Sequence, residues 1–269
     1  MKFTLYHFSV GLSLFSFIVF VYSLTLHPTF AKVSFLDIGQ GDAILIDAGN
    51  GNQLLVDSGR SSGIISELGS EMKFGDNTIE VIMATHYDAD HIGGFDDVMK
   101  NYSVDTLLIN DAPAKTKTAL TLLEMAKEKN VDIKTIKRGG MINLGNGVIT
   151  RILFPFSSGA PTGNDGSIVA KIYVGGKTFL LTGDAPQKVE KQLVTKDGSL
   201  LQSNVLKLGH HGSRSASSEI FLKTVNPDVA IISAGLNNQY GHPHKEVLDL
   251  LNKLHIPYLA TYRDGRLEF

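Results

Sequence analysis

The chain has 269 residues, 43% hydrophobic and 19% charged, which is enough apolar content for one large core or two small ones. A formal net charge of −2 at pH 7 excludes a global electrostatic pull toward nucleic acid, so a polyanion would have to be held by local basic residues or a bound cation. With no cysteine there are no disulfides and no thiolate ligands, and any metal must be held by His, Asp or Glu.

The N-terminus is unlike the rest of the chain. No Lys, Arg, Asp or Glu occurs between Lys2 and Lys32, and Phe8–Leu26 is almost wholly apolar, close to the ~20 residues needed to span a hydrocarbon layer. Thr29-Phe30-Ala31 offers a small-residue cleavage site. Residues 1–31 are therefore expected to be an uncleaved membrane anchor or a cleaved secretory signal, with a buried core helix as the third alternative. In both leading cases the domain over 32–269 faces outward, an extracytoplasmic location.

From Lys32 on, short strands and helices alternate. Strands are predicted at Val33–Ile38, Ala43–Asp47 and Gln53–Asp57, the last two joined by an Ala-Gly-Asn-Gly-Asn hairpin turn. A helix follows at Ile64–Met72, then a buried strand, Val81–Ala84, running into Thr85-His86. Next come a helix at Phe95–Asn101, a strand at Thr106–Ile109 and an amphipathic helix at Thr118–Lys129. Strands at Ile133–Ile136, Ile142–Leu144 and Val148–Phe154 complete the first half. The second half predicts strands at Ile168–Val174 and Thr178–Thr182, a helix at Gln187–Thr195 and a strand at Val205–Leu208. A strand at Val229–Ser233, a helix at Lys245–Leu254 and a final strand pair, Tyr258–Thr261 with Arg266–Phe269, end the chain.

The halves resemble each other. Each has a hairpin ending near an aspartate, then a helix, then an apolar strand ending in a small residue and a histidine. From Asp57 to His86 is 29 residues, and from Asp184 to His210 is 26. Two β-rich halves packed face to face with helices outside make a four-layer αββα sandwich, an α/β fold in one domain.

The sharpest feature is Thr85-His86-Tyr87-Asp88-Ala89-Asp90-His91-Ile92-Gly93-Gly94. Four potential ligands fall within six residues at the exit of a buried strand. Neutral imidazoles and carboxylates at this spacing can surround a divalent ion from one loop. Without a cation, Asp88 and Asp90 would repel each other.

This loop resembles the HxHxDH motif of the metallo-β-lactamase superfamily, with Asp88 in place of the second histidine. Together with Phe35-Leu36-Asp37-Ile38-Gly39-Gln40-Gly41-Asp42 upstream, it is similar to the soluble hydrolase domain of the ComEC/Rec2 DNA-uptake channel proteins. Leu181-Thr182-Gly183-Asp184, Leu206–Ser213 and Tyr240-Gly241-His242-Pro243-His244 extend the resemblance over Val33–Phe269. With a single apolar span, this chain lacks the multi-helix channel of that family.

The resemblance implies two divalent ions, Zn²⁺ or Mn²⁺. His86 and Asp88 would hold the first, Asp90 and His91 the second, and Asp184 would bridge them. It makes Asp57 an aspartate that orients the metal loop. It also makes His242 an acid for the leaving group or a substrate contact. The superfamily's third-motif histidine is absent, since no histidine occurs between Ile92 and Gly209. Asn164, Asp165 and Ser167 stand near its expected place, as a weak oxygen ligand or a plain turn. Oxygen donors in place of imidazole favour a harder cation. The repeat pairs His210 with His86, making His210 the expected ligand and His211 a neighbour for substrate or proton transfer. Ser213 and Arg214 follow, with Arg214 a candidate phosphate contact.

The chemistry the resemblance implies is hydrolysis of a phosphodiester, with DNA as the substrate and a separate channel protein as a partner. A small acyl substrate such as a lactone or β-lactam, or a non-catalytic binding module, are the alternatives.

Overall fold

In the computed structural model, the described residues are 12–17 and 30–269. Residues 12–17 are helical and exposed. The rest of the expected anchor or signal over 1–31, apart from Phe30 and Ala31, lies outside the described residues. Among the described residues no helix is long and apolar enough to cross a membrane. Ala31–Phe269 forms one compact unit.

That unit is built on two seven-stranded sheets. The first contains β1 (Lys32–Phe35), β2 (Ile44–Asp47), β3 (Gln53–Val56), β4 (Thr78–Met83), β5 (Ser103–Ile109), β6 (Asp132–Thr135) and β14 (Leu267–Glu268), in the order β14-β1-β2-β3-β4-β5-β6. The second contains β7 (Met141–Gly145), β8 (Val148–Phe154), β9 (Val169–Val174), β10 (Lys177–Leu181), β11 (Val205–Lys207), β12 (Val229–Ile232) and β13 (Tyr258–Ala260), in the order β13-β12-β11-β10-β9-β8-β7. The predicted internal similarity is visible in this order. In each half a hairpin, β2/β3 or β9/β10, passes through a helix to a parallel neighbour, β4 or β11, in registers Val56↔Met83 and Leu181↔Lys207.

Strand alternation sets the layers. Leu54 and Val56 on β3, and Phe179 and Leu181 on β10, face a core between the sheets. Leu55 and Ile82 face outward, against α1 (Gly63–Glu71), α3 (Phe95–Asn101) and α4 (Lys117–Glu128). Leu180 and Leu206 face the opposite way, against α5 (Gln187–Asp197), α6 (Glu219–Val225) and α7 (Lys245–Lys253). The α/β four-layer αββα sandwich is thus the observed fold.

Two expectations need correcting. Tyr258–Ala260 and Leu267–Glu268 do not pair with each other. Thr261–Asp264 forms a helical turn, α8, and carries the chain to the other sheet, where β14 pairs antiparallel with β1. The helix α6 was not anticipated, because Ile220, Thr224 and Val225 are β-branched and its seven residues fit a strand as well as a helix. Its stop signal, Asn226 in the left-handed region followed by Pro227, was available.

The loop between β1 and β2 approaches the His86–His91 segment closely. A Cβ on Gly41 (φ +125°) would lie 2.0 Å from the Asp90 carbonyl oxygen. Gly41→Ala is expected to cost about 3 kcal/mol through overpacking and backbone strain. A urea midpoint equal to that of the parent chain would contradict this.

Candidate metal centre

The parallel strands β4 and β11 deliver the chemistry from their carboxyl ends. After β4, the backbone turns through Thr85 to His86. Asp57, at the end of β3 with φ 57°, holds that turn. Its Oδ1 accepts the Thr85 N–H (2.8 Å), and its Oδ2 accepts the Thr85 hydroxyl (2.7 Å) and faces His91 Nδ1 (2.7 Å). Asp57 therefore orients the loop, and it also fixes His91 so that Nε2 points away from it. The short helix α2 (Ala89–Ile92) packs tightly: Cβ atoms on Gly93 and Gly94 would meet the carbonyl oxygens of Arg60 and Ser58 at 2.4 Å.

The second half brings Asp184, His210 and His211. Asp184 follows the tight Gly183 turn, and its N–H is held by Ser167 Oγ at 3.2 Å. His210 and His211 both adopt left-handed backbone, φ 50° and 56°, a conformation uncommon for non-glycine residues and frequent at functional sites. Two such residues in succession fold the chain back and bring both imidazoles to the centre.

Asp184 sits in the middle, 2% exposed. Its Oδ2 faces His86 Nε2 at 3.9 Å and His210 Nε2 at 3.7 Å, and Asp88 Oδ2 lies 3.7 Å from the same His86 nitrogen. Its Oδ1 faces His91 Nε2 at 3.2 Å and His211 Nε2 at 3.6 Å, and Asp90 Oδ2 lies 3.6 Å from His211 Nε2. The Nε2 atoms of His86, His91 and His211 and Oδ1 of Asp184 are buried without a hydrogen-bond partner. Buried polar atoms are ordinarily satisfied. Imidazole and carboxylate atoms left open toward one another are what a divalent cation requires, so the donor set fits a metal.

One further carboxylate, Asp42, which the sequence motif contains without naming a role for it, lies beside the site. One atom from each of Asp42, His91, Asp184 and His211 lies within 4.8 Å of the others. Asp42 nevertheless stands behind the rings. Its Oδ2 is 2.5 Å from Lys207 Nζ, on a fully buried lysine, and its Oδ1 faces His211 Nδ1 at 3.3 Å, the nitrogen that also meets the Ser233 carbonyl at 2.9 Å. With Nδ1 engaged there, His211 presents Nε2 to Asp184 and Asp90. A carboxylate behind a ligating histidine fixes its tautomer and orientation. The cation Lys207 was missed as well, since its partner is 165 residues away in sequence.

The remaining candidates line up around this core. Asn164 Nδ2 lies 3.3 Å from His210 Nδ1, so the amide rather than the carbonyl faces the ring. Asp165 points away, paired with Lys188. Ser213 reaches the centre only through Ser215, whose hydroxyl meets both Ser213 Oγ and His210 Nδ1 at 3.0 Å. Arg214 is exposed, its guanidinium 3.5 Å from Glu246 rather than in the centre. His242 packs against the rings of His210 (5.3 Å), His211 (6.1 Å) and His244 (4.9 Å).

The charges follow from this crowding. Burial works against ionising Asp184, but the imidazoles of His91 and His211 hold it well below the usual carboxylate range. Burial likewise opposes charge on His91 and His211. The carboxylates of Asp184 and Asp57 still raise His91 well above its ordinary value, and Asp184 and Asp42 push His211 up to about 9. Asp90 is lowered despite burial by its two histidine neighbours. Burial and the charges of His210 and His211 push His242 down to about 4.

Imidazole ligands of a cation must be deprotonated, so a cation binding here would compete with protons on these histidines. Below about pH 9 His211 carries a proton that binding displaces, and the raised His91 opposes binding in the same direction, so affinity should rise at least about 10-fold from pH 7 to 8. A competition titration with a chromophoric chelator that finds affinity independent of pH would contradict this.

Comparisons with known proteins agree with the geometry. The sequence profile of the Metallo-beta-lactamase superfamily matches residues 36–235. ComE operon protein 3 of Bacillus subtilis (strain 168) is 32% identical over 195 residues, covering 72% of this chain and 25% of that protein. Competence protein ComA of Neisseria gonorrhoeae is 32% identical over 243 residues, 89% of this chain and 32% of that protein. The chain spans about a quarter to a third of the length of these relatives. The metallo-beta-lactamase fold protein YhfI of Bacillus subtilis shares the fold, with a TM-score of 0.57 at 13% identity over 88% of this chain and 99% of that one. The chain belongs to the metallo-β-lactamase superfamily, as a hydrolase related to the competence proteins.

Proposed function

We propose that the centre holds two divalent cations, Mn²⁺ or Zn²⁺, and hydrolyses phosphodiesters, with DNA as the substrate. The observation that carries this reading is the division of donors about Asp184. One carboxylate oxygen faces His86 and His210 with Asp88 beside them, and the other faces His91 and His211 with Asp90 beside them. A carboxylate shared between two donor sets suits a pair of ions clamping one phosphate. Asp88 and Asp90 beside Asp184 would repel an anionic substrate unless cations outweighed them.

Bound there, the cations would supply Lewis acidity that polarises the phosphate and makes water nucleophilic near neutral pH. The chain's own residues orient and tune. Asp57 and Asp42 fix the rings of His91 and His211, and Ser167 fixes the Asp184 backbone. His242, held near pKa 4, is neutral at pH 7. Substrate contact is therefore a better role for it than a stored proton. The names of the relatives support a setting in DNA uptake. In that setting the chain would act outside the membrane, held by residues 1–31, with a separate channel protein as partner.

The test is hydrolysis by the purified chain in Mn²⁺ or Zn²⁺ of single- and double-stranded DNA, bis(4-nitrophenyl) phosphate and nitrocefin. Cleavage of DNA and the phosphate ester, lost in Asp90→Ala, is expected. Turnover of nitrocefin alone would replace this reading with acyl hydrolysis.

A further inference from the structure

The rim of the centre carries an aromatic ring and a cation that the proposed hydrolytic machinery leaves unused. Tyr240, 43% exposed, stacks on His242 with ring centroids 5.7 Å apart and planes 22° apart. His242 in turn lies edge-on to His210, so a molecule resting on the free face of Tyr240 is separated from the metal donors by the Tyr240 and His242 rings. Arg60 comes from the loop after β3, in the other half of the sandwich, and reaches the Tyr240 hydroxyl with Nη2 at 3.3 Å. It is exposed and, among the described residues, has no carboxylate partner.

An exposed tyrosine on a loop is ordinarily free to move, but this one is braced. Asn238 Oδ1 accepts the N–H groups of Tyr240 (3.2 Å) and His242 (3.0 Å), and its Nδ2 donates to the carbonyls of Gly235 (2.9 Å) and His242 (2.5 Å). Gln40 Oε1 accepts the Gly235 N–H at 3.1 Å and ties the loop to the turn before Asp42. A flat ring already fixed in place loses little freedom on binding.

A rigid aromatic face with a guanidinium beside it that no carboxylate pairs suits a nucleobase and its neighbouring phosphate, the first by stacking and the second by charge-assisted hydrogen bonds. Inside a duplex both faces of each base are covered by its neighbours, so away from a duplex end only an unpaired base can lie on Tyr240. We propose that Tyr240 and Arg60 form a subsite for an unpaired nucleobase and its adjoining phosphate, in a single strand whose scissile phosphate lies at the metal centre. The subsite rests on the phosphodiester reading above.

The test compares binding of two fluorescently labelled single strands of equal length and charge, one of thymidines and one abasic. It uses the full chain in detergent with Ca²⁺ as the divalent cation and anisotropy as the readout. The parent chain should bind the thymidine strand roughly 5- to 100-fold more tightly than the abasic one. Tyr240→Ala should erase that preference, Tyr240→Phe should keep it, and Arg60→Gln should weaken both strands alike. Binding of a duplex should not respond to Tyr240→Ala. Equal affinity of the parent chain for both strands, or a base preference that survives Tyr240→Ala, would overturn the subsite. A parent chain that prefers the thymidine strand yet cleaves no diester in Mn²⁺ or Zn²⁺ would support the subsite and remove the hydrolytic reading.

Discussion

Replacing Asp184 with Asn should abolish tight uptake of a second equivalent of Mn²⁺ or Zn²⁺ and lower phosphodiester hydrolysis by roughly a thousandfold or more. The carboxylate has one oxygen toward His86 and His210 and the other toward His91 and His211. Asparagine offers one neutral oxygen, and it turns an amide N–H₂ toward one pair of nitrogens that should receive a cation. It also removes the negative charge that raises His91 and His211. Their protons should then leave more readily, so one ion could still bind weakly while the pair is lost. Calorimetric titration with Mn²⁺, alongside turnover of bis(4-nitrophenyl) phosphate, separates the outcomes. Two tight equivalents and near-parental turnover would show that Asp184 bridges nothing.

Lys207→Met should destabilise the chain by about 3–5 kcal/mol, because it leaves Asp42 buried with its lysine partner gone. Lys207 is fully buried and its Nζ lies 2.5 Å from Asp42 Oδ2, on a carboxylate that also orients His211. Burial alone would push Asp42 upward, and the charges of Lys207 and His211 keep it below the usual range. Removing both partners, as Lys207→Met with Asp42→Asn, should recover much of the loss, since no unpaired charge then remains inside. Asp42→Asn alone should weaken metal binding about 10- to 100-fold by loosening the ring behind the ligand. Urea unfolding of the two single variants and the double variant gives the coupling. Single-variant changes within about 0.5 kcal/mol would place the pair among interactions of no consequence.

The layers were legible because their causes are local. Alternating apolar residues on β3 and β10 and helical spacing on α4 each specify a buried face, and the repeat of hairpin, helix and histidine-ended strand pointed to two similar halves. The His86–His91 segment was legible because its four donors are adjacent in sequence. The structure also brings Asp57, Asp184 and His210 to the same centre.

What was missed depends on contacts between distant segments. Lys207 shares a strand face with Val205, which points between the sheets, so a paired carboxylate could have been inferred, but nothing local names Asp42. The sequence pairs His210 with His86 as the expected ligand and leaves His211 as its neighbour. Successive left-handed residues instead aim one ring at each oxygen of Asp184, a conformation that sequence spacing does not encode. Arg214, a candidate phosphate contact from the sequence, lies beside Glu246. The final hairpin failed for a similar reason: α8 redirects the chain, and β14 finds an antiparallel partner in β1 at the other end of the sequence.

Diffraction from crystals grown with Mn²⁺, collected at the manganese absorption edge, tests the reading of the centre most directly. Two anomalous peaks are expected, one on each side of the Asp184 carboxylate, with Asp42 bound to neither and still paired with Lys207. A single peak coordinated by Asp42, or no peak among these side chains, would contradict it.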